Sequence, residues 1–131
     1  MKSRDHPLIL LSEDFEDARD LYRDYLEFSG FSVEVAANGR EAINRALVLK
    51  PDLILMDASM PVLDGWQATR ELKANPETKH IPVLALTAHA FEDARHEAQS
   101  SGCDDFVTKP CMPDDLVLRV REMLDNGVKT K

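Results

Sequence analysis

The chain has 131 residues, 44% of them hydrophobic, so the expected organisation is one domain over residues 1–131, with a core from about 7 to 126 and no output domain. Its net charge of −8 comes from acidic residues spread along the chain, which argues against direct DNA binding. Only Cys103 and Cys111 could pair, no secretory signal precedes them, and no apolar run approaches a membrane span, so a reduced, cytoplasmic protein without membrane insertion is expected.

The segments alternate in character along the chain. Leu8 to Leu11 is an apolar run ending in Ser12, Glu13 and Asp14. From Phe15 to Phe28, the residues Phe15, Ala18, Leu21, Tyr22, Tyr25 and Leu26 recur at helical spacing, and Gly30 sits where a helix stops. Val33 and Val35 alternate with polar neighbours, as in an outer strand. Asn38 and Gly39 then turn into a helix over Glu41 to Leu49, with Ala42, Ile43, Ala46 and Leu47 on one face and Pro51 closing it.

Leu53 to Met56 is apolar throughout, as a central parallel strand covered on both faces requires, and it ends in Asp57. Asp64 and Gly65 open a weaker helix through Lys73, broken by Asn75 and Pro76, with Trp66 expected at its edge. Ile81 to Leu86 is the next strand, ending in Thr87. The helix from Phe91 to Ser101 has a thin apolar stripe of Phe91, Ala94 and Ala98. A short strand at Phe106 and Val107 ends in Thr108, Lys109 and Pro110. The last helix is expected from Pro113 to Asp125, with Leu116, Val117, Val120, Met123 and Leu124 inward and Gly127 as its stop.

Five strand–helix units predict an α/β fold: a single doubly wound, five-stranded parallel sheet with five helices, flavodoxin-like; pattern alone does not fix the strand order, but the middle runs being the most apolar is compatible with the order 2-1-3-4-5. In such a sheet the ligand edge lies at the carboxyl ends of the strands. Glu13, Asp14, Asp57, Thr87 and Lys109 would meet there. Two carboxylates about 4 Å apart repel by roughly 4 kcal/mol at an effective dielectric near 20, so three together call for a cation or for protons. Few hard oxygen ligands with room for water suit Mg²⁺ better than zinc.

A carboxylate beside a divalent cation, an ammonium and a hydroxyl has the parts to accept a phosphoryl group. Asp57 would attack phosphorus, Lys109 would neutralise charge, and Thr87 would hydrogen-bond a phosphoryl oxygen. Movement of Thr87 would open space for Phe106, turning a charge event into a packing change. Each residue alone has an ordinary reading: Glu13 and Asp14 suit a helix N-terminus, Asp57 a turn, Thr87 a strand end, Lys109 a solvated surface and Phe106 the core. Their joint placement at strand ends favours the site. Asp104 and Asp105 read as a solvated turn, with Asp105 also placed to brace the neighbouring loop. The four histidines read as surface or loop residues, and the cysteines as packing residues.

The carrying segments are Ser12-Glu13-Asp14, Ala37 to Ala42, Pro51 to Asp57, Met60-Pro61-Val62-Leu63-Asp64-Gly65, Ile81 to Ala88, and Gly102 to Pro110. On these six, in order, nearly the whole chain resembles the receiver domain of two-component response regulators, in the stand-alone, chemotaxis-receiver-like form. The resemblance implies that Asp57 takes phosphate from a histidine kinase or histidine phosphotransfer protein. It implies Mg²⁺, with Mn²⁺ as a substitute, held by Glu13, Asp14, Asp57 and the backbone carbonyl of Ser59.

It further implies Thr87 and Phe106 as the switch pair, Lys109 as the phosphate-binding lysine, Ser59 and His89 as positions tuning hydrolysis, and Pro61, Gly65 and Pro110 as loop-shaping residues. The bond into Pro110 is commonly cis in such domains, against about 5–6% of bonds preceding proline in general. Glu13 stands where aspartate is more frequent, and Phe106 lacks the hydroxyl of the tyrosine that many relatives carry.

The expected function is a phosphoacceptor switch controlling a downstream protein through the face of the fourth helix, fifth strand and fifth helix. The residues catalyse only the chain's own phosphorylation and dephosphorylation, so no turnover of an external substrate is expected. The alternative is a phosphorelay shuttle, or a detached hybrid-kinase receiver, passing phosphate to a second histidine. A metal-dependent phosphatase would need a further general acid and a cap over the substrate, and neither is evident.

Overall fold

The computed structural model describes residues 6–129, with side chains placed for 6–125. Strands β1 (Leu8–Ser12), β2 (Ser32–Ala36), β3 (Leu53–Asp57), β4 (Val83–Thr87) and β5 (Asp105–Thr108) alternate with helices α1 (Glu16–Phe28), α2 (Gly39–Leu49), α3 (Gly65–Ala74), α4 (Phe91–Ser101) and α5 (Pro113–Lys129). All strand pairs are parallel, in the order β2-β1-β3-β4-β5. The predicted fold and strand order are those observed.

Why the sheet takes this order follows from burial. Every residue of β3 and β4 is buried, whereas β2 and β5 at the rims carry half-exposed positions. Alternate side chains feed two cores. Ile9, Leu11, Leu53, Leu55, Leu84 and Leu86 pack against α1 and α5. Leu10, Ile54, Met56 and Val83 pack on the opposite face, under α2 and α3. Each fully buried Leu or Ile contributes roughly 1.5–3 kcal/mol from burial, so these central strands hold the sheet edge rigid.

Local chemistry sets the helix starts. The Asn38 side chain accepts from the Glu41 N–H at 2.8 Å, and the Asp64 side chain accepts from the Gln67 N–H at 2.8 Å. The stops at Gly30 and Gly102 use left-handed backbone, with φ of 102° and 84°.

Several sequence expectations need correction. In α1 only Tyr22 and Leu26 are fully buried, while Phe15, Leu21 and Tyr25 face outward, because a helix lying on a sheet buries a narrower stripe than its apolar content suggests. Phe15 itself precedes the helix. Strand β4 starts at Val83 rather than Ile81, since Pro82 has no N–H to join a ladder, although Ile81 remains buried. Helix α5 continues through Gly127 to Lys129; a single glycine weakens a helix without being obliged to end it. Trp66 is buried in a cluster rather than lying at an edge.

The Asp104–Asp105 pair is not a solvated turn. Asp104 Oδ2 accepts from the Val83 N–H and from Lys73 Nζ, both at 2.8 Å, which pins the start of β4 to α3. Asp105 Oδ2 lies 2.9 Å from Arg119 Nη1 and ties β5 to α5. Aspartates that follow a helix-stopping glycine read as turn residues until their long-range partners are seen.

Candidate functional site

The carboxyl ends of β1, β3, β4 and β5 meet at one edge. Register places Ser12 beside Met56, Asp57 beside Leu86, and Thr87 beside Thr108, so the residues just past each strand are neighbours. Ligand oxygens of Glu13, Asp14 and Asp57 lie within 4.8 Å of one another. Glu13 is 1% exposed and Asp57 4%, whereas Asp14 faces solvent. Lys109 Nζ bridges the two buried acids, 3.4 Å from Glu13 Oε1 and 3.4 Å from Asp57 Oδ1.

One ammonium does not neutralise this group. Burial, a hydrogen bond with Asp57 and the charge of Asp57 push the Glu13 carboxyl up to about 7, against the opposing pull of Lys109. For Lys109, burial works against the ammonium, but the Asp57 and Glu13 charges and hydrogen bonds outweigh it and raise its pKa. The longer arm at position 13 is held in place: Oε2 accepts from the Phe15 N–H at 3.2 Å, and Arg19 Nη1 donates to the Glu13 carbonyl at 3.1 Å.

The loop after β3 is fastened from three sides. The Ser59 N–H donates to Asp57 Oδ1 at 3.2 Å, the Ala58 N–H to the Leu86 carbonyl at 2.8 Å, and the Gly65 N–H to the Ala58 carbonyl at 2.9 Å. A Cβ on Gly65 would fall 2.1 Å from the Asp57 carbonyl oxygen, so only glycine lets α3 start this close. Pro61 precedes Val62, a β-branched residue held at φ 71°, a strained backbone position beside the site.

On the other side, Thr87 is buried, and its Oγ1 accepts from the His89 N–H at 3.1 Å. The Lys109 N–H donates to the Thr87 carbonyl at 2.7 Å, and the Lys109–Pro110 bond is cis. Phe106 is half-buried, its ring centroid 5.4 Å from that of Phe91. Phe91 was expected inward in α4 but is 60% exposed, because the stripe turns away from the sheet at the helix's first residue.

Sequence reasoning overlooked two supports: Arg19, and the Tyr22 hydroxyl, which donates to the Cys111 carbonyl at 3.1 Å and ties α1 to the loop after Pro110. Their spacing of three on α1 was the available signal. All four histidines are exposed, as expected. Burial pushes the Cys103 thiol up to about 11, in keeping with a packing role.

The donor set suits a hard divalent cation: three carboxylates, no sulfur or imidazole among them, with Asp14 open to water and a Glu13 carboxyl whose pKa is raised by burial and by Asp57.

A family model described as the response regulator receiver domain matches residues 9–121. The chain belongs to this family. Its members are phosphoacceptor signalling switches of two-component systems, and the receiver shares 38% identity over 102 residues with the polar-differentiation response regulator DivK of Brucella anthropi, covering 78% of this chain and 83% of that one. It is also 38% identical to the transcriptional regulatory protein ResD of Bacillus subtilis over 93% of its own length, and spans only 50% of that relative.

Among solved structures, the receiver domain of a sensor histidine kinase from Pseudomonas aeruginosa PAO1, described with a magnesium ion coordinated in its active-site cleft, superposes with a TM-score of 0.82 at 32% identity. That match covers 95% of this chain and 98% of the other. Among the described residues, no helix is long and apolar enough to cross a membrane.

Proposed function

We propose that Asp57 accepts a phosphoryl group from a phosphohistidine on a kinase or phosphotransfer protein. The observation that carries this reading is the convergence of Glu13, Asp14 and Asp57 within 4.8 Å, with Lys109 Nζ 3.4 Å from Asp57. An Asp57 oxygen forms the new bond to phosphorus as the bond from phosphorus to the donor nitrogen breaks, and the imidazole leaves with the bonding pair and takes up a proton. Glu13, Asp14, Asp57 and the Ser59 carbonyl would hold Mg²⁺, or Mn²⁺ in its place. Bound there, the ion supplies positive charge against the phosphoryl oxygens.

The chain's own groups do the rest. Lys109 pairs with the new charge, and Thr87 exchanges its bond from the His89 N–H for one to a phosphoryl oxygen. Ser59 and His89 flank the acceptor and govern access of hydrolytic water; both line a cavity that also includes Thr87. Displacement of Thr87 draws Phe106 inward and changes the α4–β5–α5 face, where a downstream protein docks. A switch in the cytoplasm, turning over no external substrate, is the role that follows.

Incubation with Mg²⁺ and acetyl phosphate should add one phosphate, and Asp57→Asn should abolish the addition; undiminished labelling of the variant would refute the assignment. Lys109→Ala should leave Mg²⁺ affinity largely intact while blocking the response, and Asp14→Ala should weaken Mg²⁺ binding itself. Equal loss of affinity in both would contradict the separation of roles. A phosphoform that passes its phosphate rapidly to a second histidine protein, rather than holding it to bind an effector, would mark a relay.

A further inference from the structure

Trp66, the chain's single tryptophan, lies one residue beyond the glycine pressed against the acceptor strand. It is 6% exposed and packs in a cluster with Ala58 of the acceptor loop, Ala85 of β4 and Ala98 of α4, joined by the half-buried Cys103 and Phe106. One large ring thus sits among three minimal side chains from three elements. Its shape sets how α3, β4 and α4 are spaced, and cores of this density pass displacement on rather than absorb it.

A second observation concerns the indole nitrogen. Among the described residues, the buried Trp66 Nε1–H has no hydrogen-bond partner. Buried donors are almost always paired, with protein or with water. Free space lies close by: a cavity of about 370 Å³ beside the acceptor is lined by Trp66 together with Ser59, Asp64, Thr87 and His89.

We propose that Trp66 is a positioning residue that couples the acceptor loop to α4 and Phe106, by a route separate from the Thr87 hydroxyl. Loading of Asp57 moves the loop at Ala58, the indole moves with it, and the shift brings Nε1–H within reach of a protein acceptor. The inference rests on Asp57 being the phosphoacceptor. It assigns the step that follows to a residue outside the acceptor chemistry.

Because the chain has one tryptophan, ¹⁵N NMR of the whole protein gives one indole signal to follow. With Mg²⁺ and beryllofluoride as the phosphoryl mimic, the wild-type indole signal should move downfield as the hydrogen bond forms. Trp66→Phe keeps an aromatic ring but removes the N–H, and Mg²⁺ affinity should be unchanged. The balance between resting and switched forms should move by about two- to thirtyfold, the range of couplings measured for residues outside a ligand site. At saturating beryllofluoride, the amide signals of Phe91 and Phe106 should then fall back toward their unloaded positions.

A wild-type indole signal that stays in place while the Thr87 and Lys109 signals shift would overturn the Trp66 proposal and leave the phosphoacceptor reading standing. A full response at Phe91 and Phe106 in Trp66→Phe would overturn it equally. No shift at Thr87 or Lys109 in the wild type would instead bring down the underlying reading, and the Trp66 proposal with it.

Discussion

Glu13 shows how burial makes an acidic cluster sensitive to pH. Its carboxyl rises from an ordinary 4.5 to about 7 through burial and the proximity of Asp57. Between these values the folded chain holds more protons than the unfolded one, so stability falls as pH rises through that window. The stabilisation tied to this group is therefore full below 4.5 and gone above about 7. Metal-free protein titrated with urea should lose stability over this range, and Glu13→Gln should remove most of the slope. A slope unchanged in the variant would place its origin elsewhere. Bound at this cluster, Mg²⁺ would displace the same proton, so its affinity in calorimetry should climb over the same interval.

Helix α4 is held to the core by small side chains. Only Ala94, Ala98 and Ser101 are buried along its 11 residues, and two of these are alanines that bury little apolar surface. Strand β3, by contrast, is buried at all five positions. Native-state hydrogen exchange should open α4 well before β3, with α4 amides exchanging through local openings and β3 amides through global unfolding. Equal protection would deny α4 the mobility that a responsive face requires. Core truncation belongs to the same comparison: Leu55→Ala should cost about 2–5 kcal/mol, read by chemical denaturation, because its site cannot collapse between packed layers.

Taken over the whole chain, negative charge is in excess, and the site gathers part of it where water is scarce. A cation that binds only the folded form stabilises it by mass action. At 100 times its dissociation constant, Mg²⁺ should add about 2.7 kcal/mol to the wild type, and Asp14→Ala should forfeit most of that gain at the same concentration. Thermal unfolding with and without chelator would measure both. A gain retained in full by Asp14→Ala would locate the ion away from these acids.

The sheet was legible because continuous apolar runs of four to six residues have few other places to go than the middle of a parallel sheet, and each ended in the polar residue that the edge then collected. Glu13, Asp14, Asp57, Thr87 and Lys109 were accordingly named from position alone. Burial of individual aromatics was harder to read. Phe15, Leu21 and Tyr25 share the apolar character of Tyr22 and Leu26, yet only the contact between α1 and its neighbours determines which side is covered.

Pattern and composition by themselves pointed to the fold class and to the polar residues gathered at the sheet edge, since periodicity and strand-end chemistry are local properties of the chain; the order of the strands is a property of their pairing. Tertiary structure alone decided the partners of Asp104 and Asp105, the support of Glu13 by Arg19, and the enclosure of Trp66 with an unpaired Nε1–H. These depend on which distant side chains arrive within a few ångströms after the layers have packed, a quantity that no local spacing encodes.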